Sequence, residues 1–346
     1  MHTILICIIW PARPPFFTSM RLRRLQDFLL LWLALLILLP VGGVLVAWLQ
    51  WDAQSASILR EMAATVLPDY ALTSLLLCLV VGLGVAAVGT ATAAAVTLFD
   101  FPGRRSFEWA LLLPLAMPAY VVAYAYTDFL QFSGPLQTWL RSGLGLEGRV
   151  FPEVRNLPGA AWVFVFSLYP YVYLLARTAL GERAAHLMEA GRLLGAPLSR
   201  RIAAVALPLA RPAVAAGVAL ALMETLADFG VASYFGIQTF STGIYKAWLA
   251  MDNRIAAAQL ATTLLIVVAL LLMLEHRAQR RLRFASARGG RAGSGEAQPV
   301  RLCGGRATAA VALCAVPVLM GFVLPLAFML RPLAADWSVL PWDRFV

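Results

Sequence analysis

Seven long apolar segments constrain the fold of this chain more than any other feature of its sequence. Each is close to the roughly 20 residues that an α-helix needs to cross the hydrocarbon core of a bilayer. Hydrophobic residues make up 61% of the 346 residues and charged residues only 13%, whereas soluble domains carry about 25% charged residues. A single soluble domain, a coiled coil and a disordered chain are therefore excluded, and an integral membrane protein is predicted. The predicted spans are residues 27–48, 71–98, 108–130, 159–180, 210–232, 257–274 and 307–330.

Prolines interrupt two of these segments. The third contains Pro114 and Pro118, and the fourth contains Pro170. Membrane helices tolerate proline when neighbouring groups satisfy the freed carbonyls, so both segments are predicted to span the membrane with kinks. The apolar stretch at 4–10 is too short to span, and residues 1–19 are predicted to be an N-terminal extension without structure.

The net charge of +10 indicates how the chain is threaded through the membrane. Nineteen of the 28 lysines and arginines fall in alternate loops on one side of the predicted spans, and eight fall on the other side. Positively charged loops remain in the cytoplasm, so the N-terminus is predicted to be cytoplasmic and the C-terminus to lie outside. Because the charge follows the topology, binding of nucleic acid is not indicated.

A basic segment rich in Arg, Gly, Ala and Ser follows the sixth predicted span. It covers residues 276–306 and predicts a flexible cytoplasmic linker, which anionic lipid headgroups attract. An ordinary long loop is the alternative. The predicted organisation is therefore a six-span domain at 20–275, the linker, and a further span within 307–346.

Patterns typical of enzymes and metal sites are missing from the sequence. There is no Gly-rich phosphate loop ending in Lys-Ser or Lys-Thr, no Gly-x-Ser-x-Gly and no His-Glu-x-x-His,. The three histidines are scattered and the four cysteines show no paired spacing, so neither a metal site nor a disulfide framework is predicted. No catalytic activity and no cofactor are expected, and an energy source such as ATP has to be bound by another subunit.

The loop between the fourth and fifth predicted spans carries the most informative motif, LMEAGRLLGAPLSRRIAAVALPLARPA. This pattern resembles the EAA loop of binding-protein-dependent ABC importer permeases. The resemblance implies an all-α integral membrane protein, a six-span type I importer unit plus one additional span, in a bacterial inner membrane. It also implies that residues 189–208 contact an ABC ATPase subunit. The residues that match the motif are Glu189, Ala190, Gly191, Gly195, Leu207 and Pro208.

The physical properties of this loop suit such a contact. Two short amphipathic helices joined at a glycine can turn sharply, because glycine has no β-carbon. Leu193, Leu194, Leu198 and Ile202 are expected to form one apolar face at helical spacing. A loop that lies on the bilayer surface is the alternative.

Other stretches narrow the resemblance to the iron(III) permeases of the ferric transport family. They are MPAYVVAYAYTDFLQFSGPLQTWLR, LYPYVYLLAR and ETLADFG, at 117–141, 168–177 and 224–230. The resemblance implies iron(III) as the solute and a periplasmic binding protein that docks on 131–158 and 236–256. Thiamine and phosphonate permeases share much of the pattern and remain alternatives. Members of this family usually contain two fused halves, so a truncated chain is expected, with the second permease half on another chain or absent.

Two acids inside the fifth predicted span are candidates for the translocation path. Glu224 and Asp228 are four residues apart, and both are expected to point into the bundle or a pore because an unpaired carboxylate in a bilayer is costly. Carboxylate oxygens suit Fe(III), whereas helix packing is the alternative role. Arg177 is a candidate partner for these acids. Two rival functions remain: a gradient-driven secondary transporter with both acids as proton sites, and a membrane scaffold or sensor without a pore.

Four tyrosines share this spacing in the third and fourth spans. They form the pairs Tyr120 with Tyr124 and Tyr169 with Tyr173, and each pair is expected to share a helical face. Phenol oxygens on a pore wall suit iron. Interfacial aromatic belts and helix packing are the alternatives.

Overall fold

The computed structural model describes residues 16–50, 53–145, 147–181, 185–286 and 299–335. Within these ranges the regular structure is helical apart from one short pair of strands. The helices are α1 (Phe16–Val46), α2 (Ala53–Thr65), α3 (Leu67–Leu98), α4 (Arg104–Ala110), α5 (Ala119–Leu130), α6 (Pro135–Leu144), α7 (Leu157–Ala179), α8 (Ala185–Leu193), α9 (Leu198–Arg201), α10 (Leu207–Ala227), α11 (Gly230–Phe235), α12 (Phe240–Tyr245), α13 (Arg254–Ser286), α14 (Gly305–Val318) and α15 (Leu324–Ala335). The strands are β1 (Phe99–Asp100) and β2 (Val300–Arg301).

Six helices in the described ranges are long and apolar enough to cross a membrane, or seven if one bent pair counts as a single span. The all-α membrane fold predicted from the sequence is therefore confirmed. The continuous spans are Asp27–Val46, Leu67–Leu98, Leu157–Ala179, Leu198–Ala227, Arg254–Met273 and Gly305–Arg331. Predictions that concern residues 1–15, 287–298 and 336–346 lie outside the described residues.

The third predicted span is broken rather than kinked. Arg104–Ala116 and Ala119–Leu144 meet at an angle of 87°. The backbone is extended at Met117, with ψ of 120°, because the ring of the following proline disfavours the helical conformation of the residue before it. Pro118 itself, with ψ of 139°, starts the second arm. In contrast, α7 runs through Pro170 as one helix.

Three helices, α3, α7 and α10, form the centre of the bundle. A β-carbon on Gly217 of α10 would lie 2.5 Å from the Cα of Val172 on α7, and one on Gly89 of α3 would lie 2.9 Å from the carbonyl oxygen of Tyr169. Only glycine permits this approach, and small residues serve the same purpose in other membrane bundles. The contacts make α3 parallel to α7 and α10 antiparallel to both.

The direction of each helix divides the bundle into two ends. α3, α7 and α13 finish at one end, where α10 and α14 begin. This end carries residues 185–206, and we call it the loop end. The opposite end carries α2, α6, α11 and α12.

The last described span packs against the earlier ones. The Tyr126 hydroxyl of α5 donates to the carbonyl oxygen of Met320 at 2.6 Å, and the rings of Phe129 and Phe328 stack with centroids 3.8 Å apart. At the loop end, β2 pairs in parallel with β1. The described span at 305–335 therefore packs against helices of the predicted six-span domain, and its assignment to a second unit stays a prediction.

Part of the segment predicted as a flexible linker is helical. α13 continues to Ser286, and β2 and the start of α14 also fall within 276–306. The first residues of this segment are mainly Arg, Gln, Leu and Ala, which favour helix, and glycine and serine become frequent only after Ser286. Likewise α1 starts at Phe16, inside the predicted N-terminal extension.

Candidate functional site

The loop between α7 and α10 forms two helical arms joined by a sharp turn. The first arm, α8, ends where the Gly195 N–H donates to the Arg192 carbonyl and the Ala196 N–H donates to the Gly191 carbonyl, both at 3.0 Å. Gly195 has a φ of +77°, which costs a residue with a β-carbon about 1–2 kcal/mol but costs glycine little. The second arm, α9, passes into α10 through a π-helical turn at Ile202–Ala206.

Gly191 allows the second arm to fold back over the first. A β-carbon at Gly191 would lie 3.2 Å from the Cγ and Cδ atoms of Arg201, whose Nη1 donates to the Met188 carbonyl at 3.2 Å. Glu189 pairs with Arg192 at 3.7 Å on the outside of the first arm, where both side chains are substantially exposed. Exposed pairs of this kind contribute under about 1 kcal/mol, so Glu189 is free to exchange partners.

The apolar face predicted for this loop is divided between two surfaces. Leu198 and Ile202 pack against the bundle core. Leu193 and Leu194 are 82% and 86% exposed, and they project at the loop end, beyond the spans. Exposed leucines next to one another, outside the apolar spans, are typical of a protein-contact surface.

The remaining motif residues lie at the two ends of the loop. Ala190 is exposed on α8 beside Glu189. Leu207 and Pro208 form the first turn of α10. Proline lacks the N–H that a regular helix would use, and the π-helical turn directly before it accommodates this loss,.

Asp228 ends α10 and caps the next helix. Its ψ of 120° takes the backbone out of the helix, and its carboxylate accepts the N–H of Val231 at 2.7 Å. A short side-chain acceptor stabilises the start of a helix in this way. The Asp228 N–H donates to the Glu224 carbonyl oxygen at 3.0 Å, so the two acids lie one turn apart at the end of α10, and their role on a translocation path stays a prediction.

Glu224 is exposed and lines an open cavity of about 430 Å³ between α7, α10, α12 and α13. Among the described residues that line the cavity, it is the only charged one. Because α10 and α7 are antiparallel and Gly217 faces Val172, Glu224 lies level with the middle of α7, about two turns further along α10. Within the described part of the chain no ion pair reaches its carboxylate.

The structure separates the two predicted pairs of tyrosines. Tyr120 and Tyr124 on α5 are 55% and 51% exposed, and the ring of Tyr124 lies 6.0 Å from that of Tyr234. Tyr169 and Tyr173 are fully buried in the core. The placement of this second pair on the translocation path was wrong for this conformation, since interhelical packing encloses both rings.

Tyr171 lines the Glu224 cavity, although it was not among the four tyrosines predicted for the translocation path. It follows Tyr169 by two residues, or about 200° around the helix. Tyr171 therefore lies on another side of α7, where it is only partly buried. The alternating tyrosines of YPYVY already indicate that Tyr171 lies on a different side of α7 from Tyr169 and Tyr173. Which of these sides is buried depends on the neighbouring helices.

Arg177 does not pair with the acids of α10. Its Nη2 lies 2.8 Å from Oε2 of Glu108. Arg177 is in the last turn of α7, at the loop end, whereas Glu224 and Asp228 lie towards the other end of α10. The candidate pairing was wrong because helix direction separates these residues.

Comparison with known proteins identifies the family of this arrangement. The family described as "Binding-protein-dependent transport system inner membrane component" matches residues 85–283, which include the loop between α7 and α10 and the Glu224 cavity. The chain is 26% identical over 269 residues to the Fe(3+)-transport system permease protein FbpB 2 of Haemophilus influenzae, over 77% of this chain and 46% of that protein. It is 28% identical over 203 residues to the sulfate transport system permease protein CysT of Escherichia coli, over 58% of this chain and 70% of that protein.

A further relative, the inner membrane ABC transporter permease protein YdcU of Escherichia coli, is 30% identical over 188 residues, 50% of this chain and 59% of that protein. The chain thus spans about half the length of some of the curated relatives that it matches. It also has the fold of a chain in the crystal structure of a bacterial alginate ABC transporter in complex with an alginate pentasaccharide-bound periplasmic protein. The TM-score is 0.60 at 17% identity, over 78% of this chain and 98% of that chain. The chain therefore belongs to the family of binding-protein-dependent transport system inner membrane components, the permease subunits of ABC importers.

Proposed function

We propose that this permease subunit imports a cationic solute, with iron(III) as the first candidate. The observation that carries the proposal is the Glu224 carboxylate, which has no ion-pair partner among the described residues and is exposed in an open apolar cavity on the side of the bundle, level with its middle. A carboxylate at this depth costs about 3 kcal/mol unless water, a solute or a partner subunit meets it. Its charge attracts cations and repels oxyanions, which favours the solute named for the iron relative over those of the sulfate and molybdenum relatives,.

The loop at 189–208, which we call the coupling loop, would supply a direct route from an ATPase subunit to this carboxylate. An ATPase subunit would bind the exposed leucines of the first arm, Leu193 and Leu194. The second arm continues without interruption into α10, and Glu224 lies close to the far end of that helix. A displacement of the loop would therefore shift Glu224 through a continuous helical segment.

Other subunits complete the proposed importer. A second permease half would supply the facing wall of the path, and alternating access would follow when the two halves move against each other. A periplasmic binding protein would dock at the opposite end, on surfaces within 131–158 and 236–256. In this proposal the loop end and the N-terminus would face the cytoplasm of a bacterium, the spans would cross its inner membrane, and ATP would be bound by the partner subunit.

Iron(III) would be transient cargo on this surface. Glu224 offers a carboxylate and Tyr171 a phenol, and hard cations prefer such oxygen donors. One carboxylate and one phenol are fewer donors than a hard metal ion takes, so the second half or a chelator would supply the others. Thiamine is the second candidate, because an apolar cavity with a single carboxylate also suits an organic cation.

Reconstitution tests the proposal. The chain is combined in proteoliposomes with its ATPase, second half and binding protein, and uptake of radiolabelled iron(III), thiamine, sulfate and molybdate is measured with and without ATP. We expect ATP-dependent uptake of iron(III) or thiamine. Glu224→Gln should lower it at least about tenfold, the factor that corresponds to 1.4 kcal/mol, and Glu224→Lys should abolish it.

The matched control is Glu61→Gln, which removes an exposed acid of α2 outside the long spans and should leave uptake unchanged. Uptake of sulfate or molybdate, or equal uptake by the Glu224→Gln variant, would contradict the proposed cation path. Uptake driven by an ion gradient without ATP would favour the secondary transporter instead.

A further inference from the structure

A cluster of charged side chains joins three elements at the loop end. Glu108 of α4 is 2.8 Å from Arg177 of α7 and 3.6 Å from Arg104 at the start of α4. The Nε of Arg104 also donates to the carbonyl oxygen of Val96, in the last turn of α3, at 2.7 Å. All three charged side chains are partly buried, so solvent screens these charge-assisted contacts less than it screens surface pairs.

The main chain of Glu108 is also attached to α7. The Tyr173 hydroxyl donates to the Glu108 carbonyl oxygen at 3.1 Å, and Tyr173 lies one turn before Arg177 on the same face of the helix. Both contacts with α7 are therefore made by Glu108, one through its main chain and one through its carboxylate. Arg104, one turn earlier on α4, attaches this helix to α3 instead.

These contacts stand between the coupling loop and the broken span. α7 ends at Ala179 and the first arm of the coupling loop begins at Ala185. On the other side, α4 leads across the 87° break to α5, which carries the exposed Tyr120 and Tyr124. α4 is therefore the loop-end arm of the broken span, and Glu108 fastens it to the helix that precedes the coupling loop.

We propose that Glu108 is a positioning residue for coupled transport: through its ion pair with Arg177, it makes the broken span follow the movement of α7. The inference rests on the proposed function, because it assigns a route to ATP-driven motion. The extended backbone at Met117 and Pro118 is the hinge, since the two arms can change their angle there while each remains helical. The ion pair transmits a shift of the coupling loop to α4, and the hinge converts it into a movement of Tyr120 and Tyr124.

Paired measurements of uptake and ATP hydrolysis on the same proteoliposomes test this role. Glu108→Gln and Arg177→Gln are each expected to lower the solute molecules moved per ATP by about 3- to 30-fold, with the ATPase subunit still bound. The double variant is expected to be no worse than either single variant, because both remove one shared contact. Arg177→Lys keeps the charge and should have an intermediate effect. The control Glu61→Gln removes an exposed acid of α2 that lies outside this cluster and outside the proposed docking surfaces, and it should change nothing.

The outcomes separate this inference from the proposed function. Uptake and ATP hydrolysis that fall in equal proportion, or effects of the two single variants that add, would overturn the positioning role. If the unsubstituted chain shows no ATP-driven uptake, the proposed function is contradicted. In that case, amide hydrogen exchange of the chain in nanodiscs tests the role of Glu108 independently. Glu108→Gln should speed amide exchange in α4 and α5 but not in α11, and unchanged exchange in α4 would overturn the inference.

Discussion

Gly191 and Gly195 meet two different requirements in the coupling loop. Gly195 has open space around it but a positive φ, so the backbone conformation demands glycine. Gly191 has an ordinary helical conformation, and there the side chain of Arg201 occupies the space that a β-carbon would need. The motif spacing predicted both positions, and the structure shows that substitution of each is unfavourable for a different reason.

We predict that Gly195→Ala weakens the attachment of the ATPase subunit. Alanine at φ of +77° strains the turn by about 1–2 kcal/mol,, so α8 should fray and amide exchange in 187–194 should accelerate. Co-purification with the ATPase subunit measures the consequence.

Gly145→Ala is the matched control for this prediction. Gly145 ends α6 with φ of +64° and also has open space, so alanine imposes the same kind of strain at the opposite end of the bundle. It should leave binding of the ATPase subunit unchanged, and equal losses in both variants would contradict a specific role for Gly195.

The helices of the bundle centre are held by close backbone approach rather than by large side chains. Gly217 lies against the main chain of Val172, and Gly84 lies against the side chain of Val165. Such contacts maximise van der Waals attraction, which is needed because lipid tails are as apolar as the helix surfaces. The broken span, which contains α4 and α5, lies outside this centre. Its backbone can therefore change direction at Pro118 without disturbing the close contacts between α3, α7 and α10.

We predict that Gly217→Ala destabilises the bundle. Its β-carbon would be 2.5 Å from a main-chain atom, so the helices must separate, and overpacking of this kind costs about 1–3 kcal/mol. The midpoint of thermal unfolding in detergent measures the loss.

Gly42→Ala on α1 provides the comparison, because nothing lies within 4 Å of a β-carbon there. Alanine should leave the midpoint unchanged or raise it slightly through its higher helix propensity. A similar fall in both variants would indicate that the approach of α10 to α7 is not what stabilises the bundle.

The whole molecule has two chemically different ends, and the coupling loop lies at one of them. Leu194 projects from the loop end and Trp139 from the opposite end, and both side chains are exposed. The excess of arginine in the loops at the loop end predicts that this end faces the cytoplasm.

We predict that labelling of single cysteines reports this orientation. In a chain without its native cysteines, Trp139→Cys should react with a membrane-impermeant maleimide in intact cells. Leu194→Cys should react only after the membrane is permeabilised. The reverse pattern would invert the proposed topology and with it the assignment of the coupling loop.

The span positions, a disruption near Pro118 and the glycine turn of the coupling loop were predictable because each depends on residues close together in the chain. Apolar length, proline geometry and motif spacing are local properties. The partner of Arg177, 69 residues away along the chain, was not predictable in this way, nor were the burial of Tyr169 and Tyr173 and the exposure of Tyr171 to the Glu224 cavity. These features depend on how each helix is rotated against its neighbours, and that rotation follows from close approach between glycines and backbone atoms on different helices.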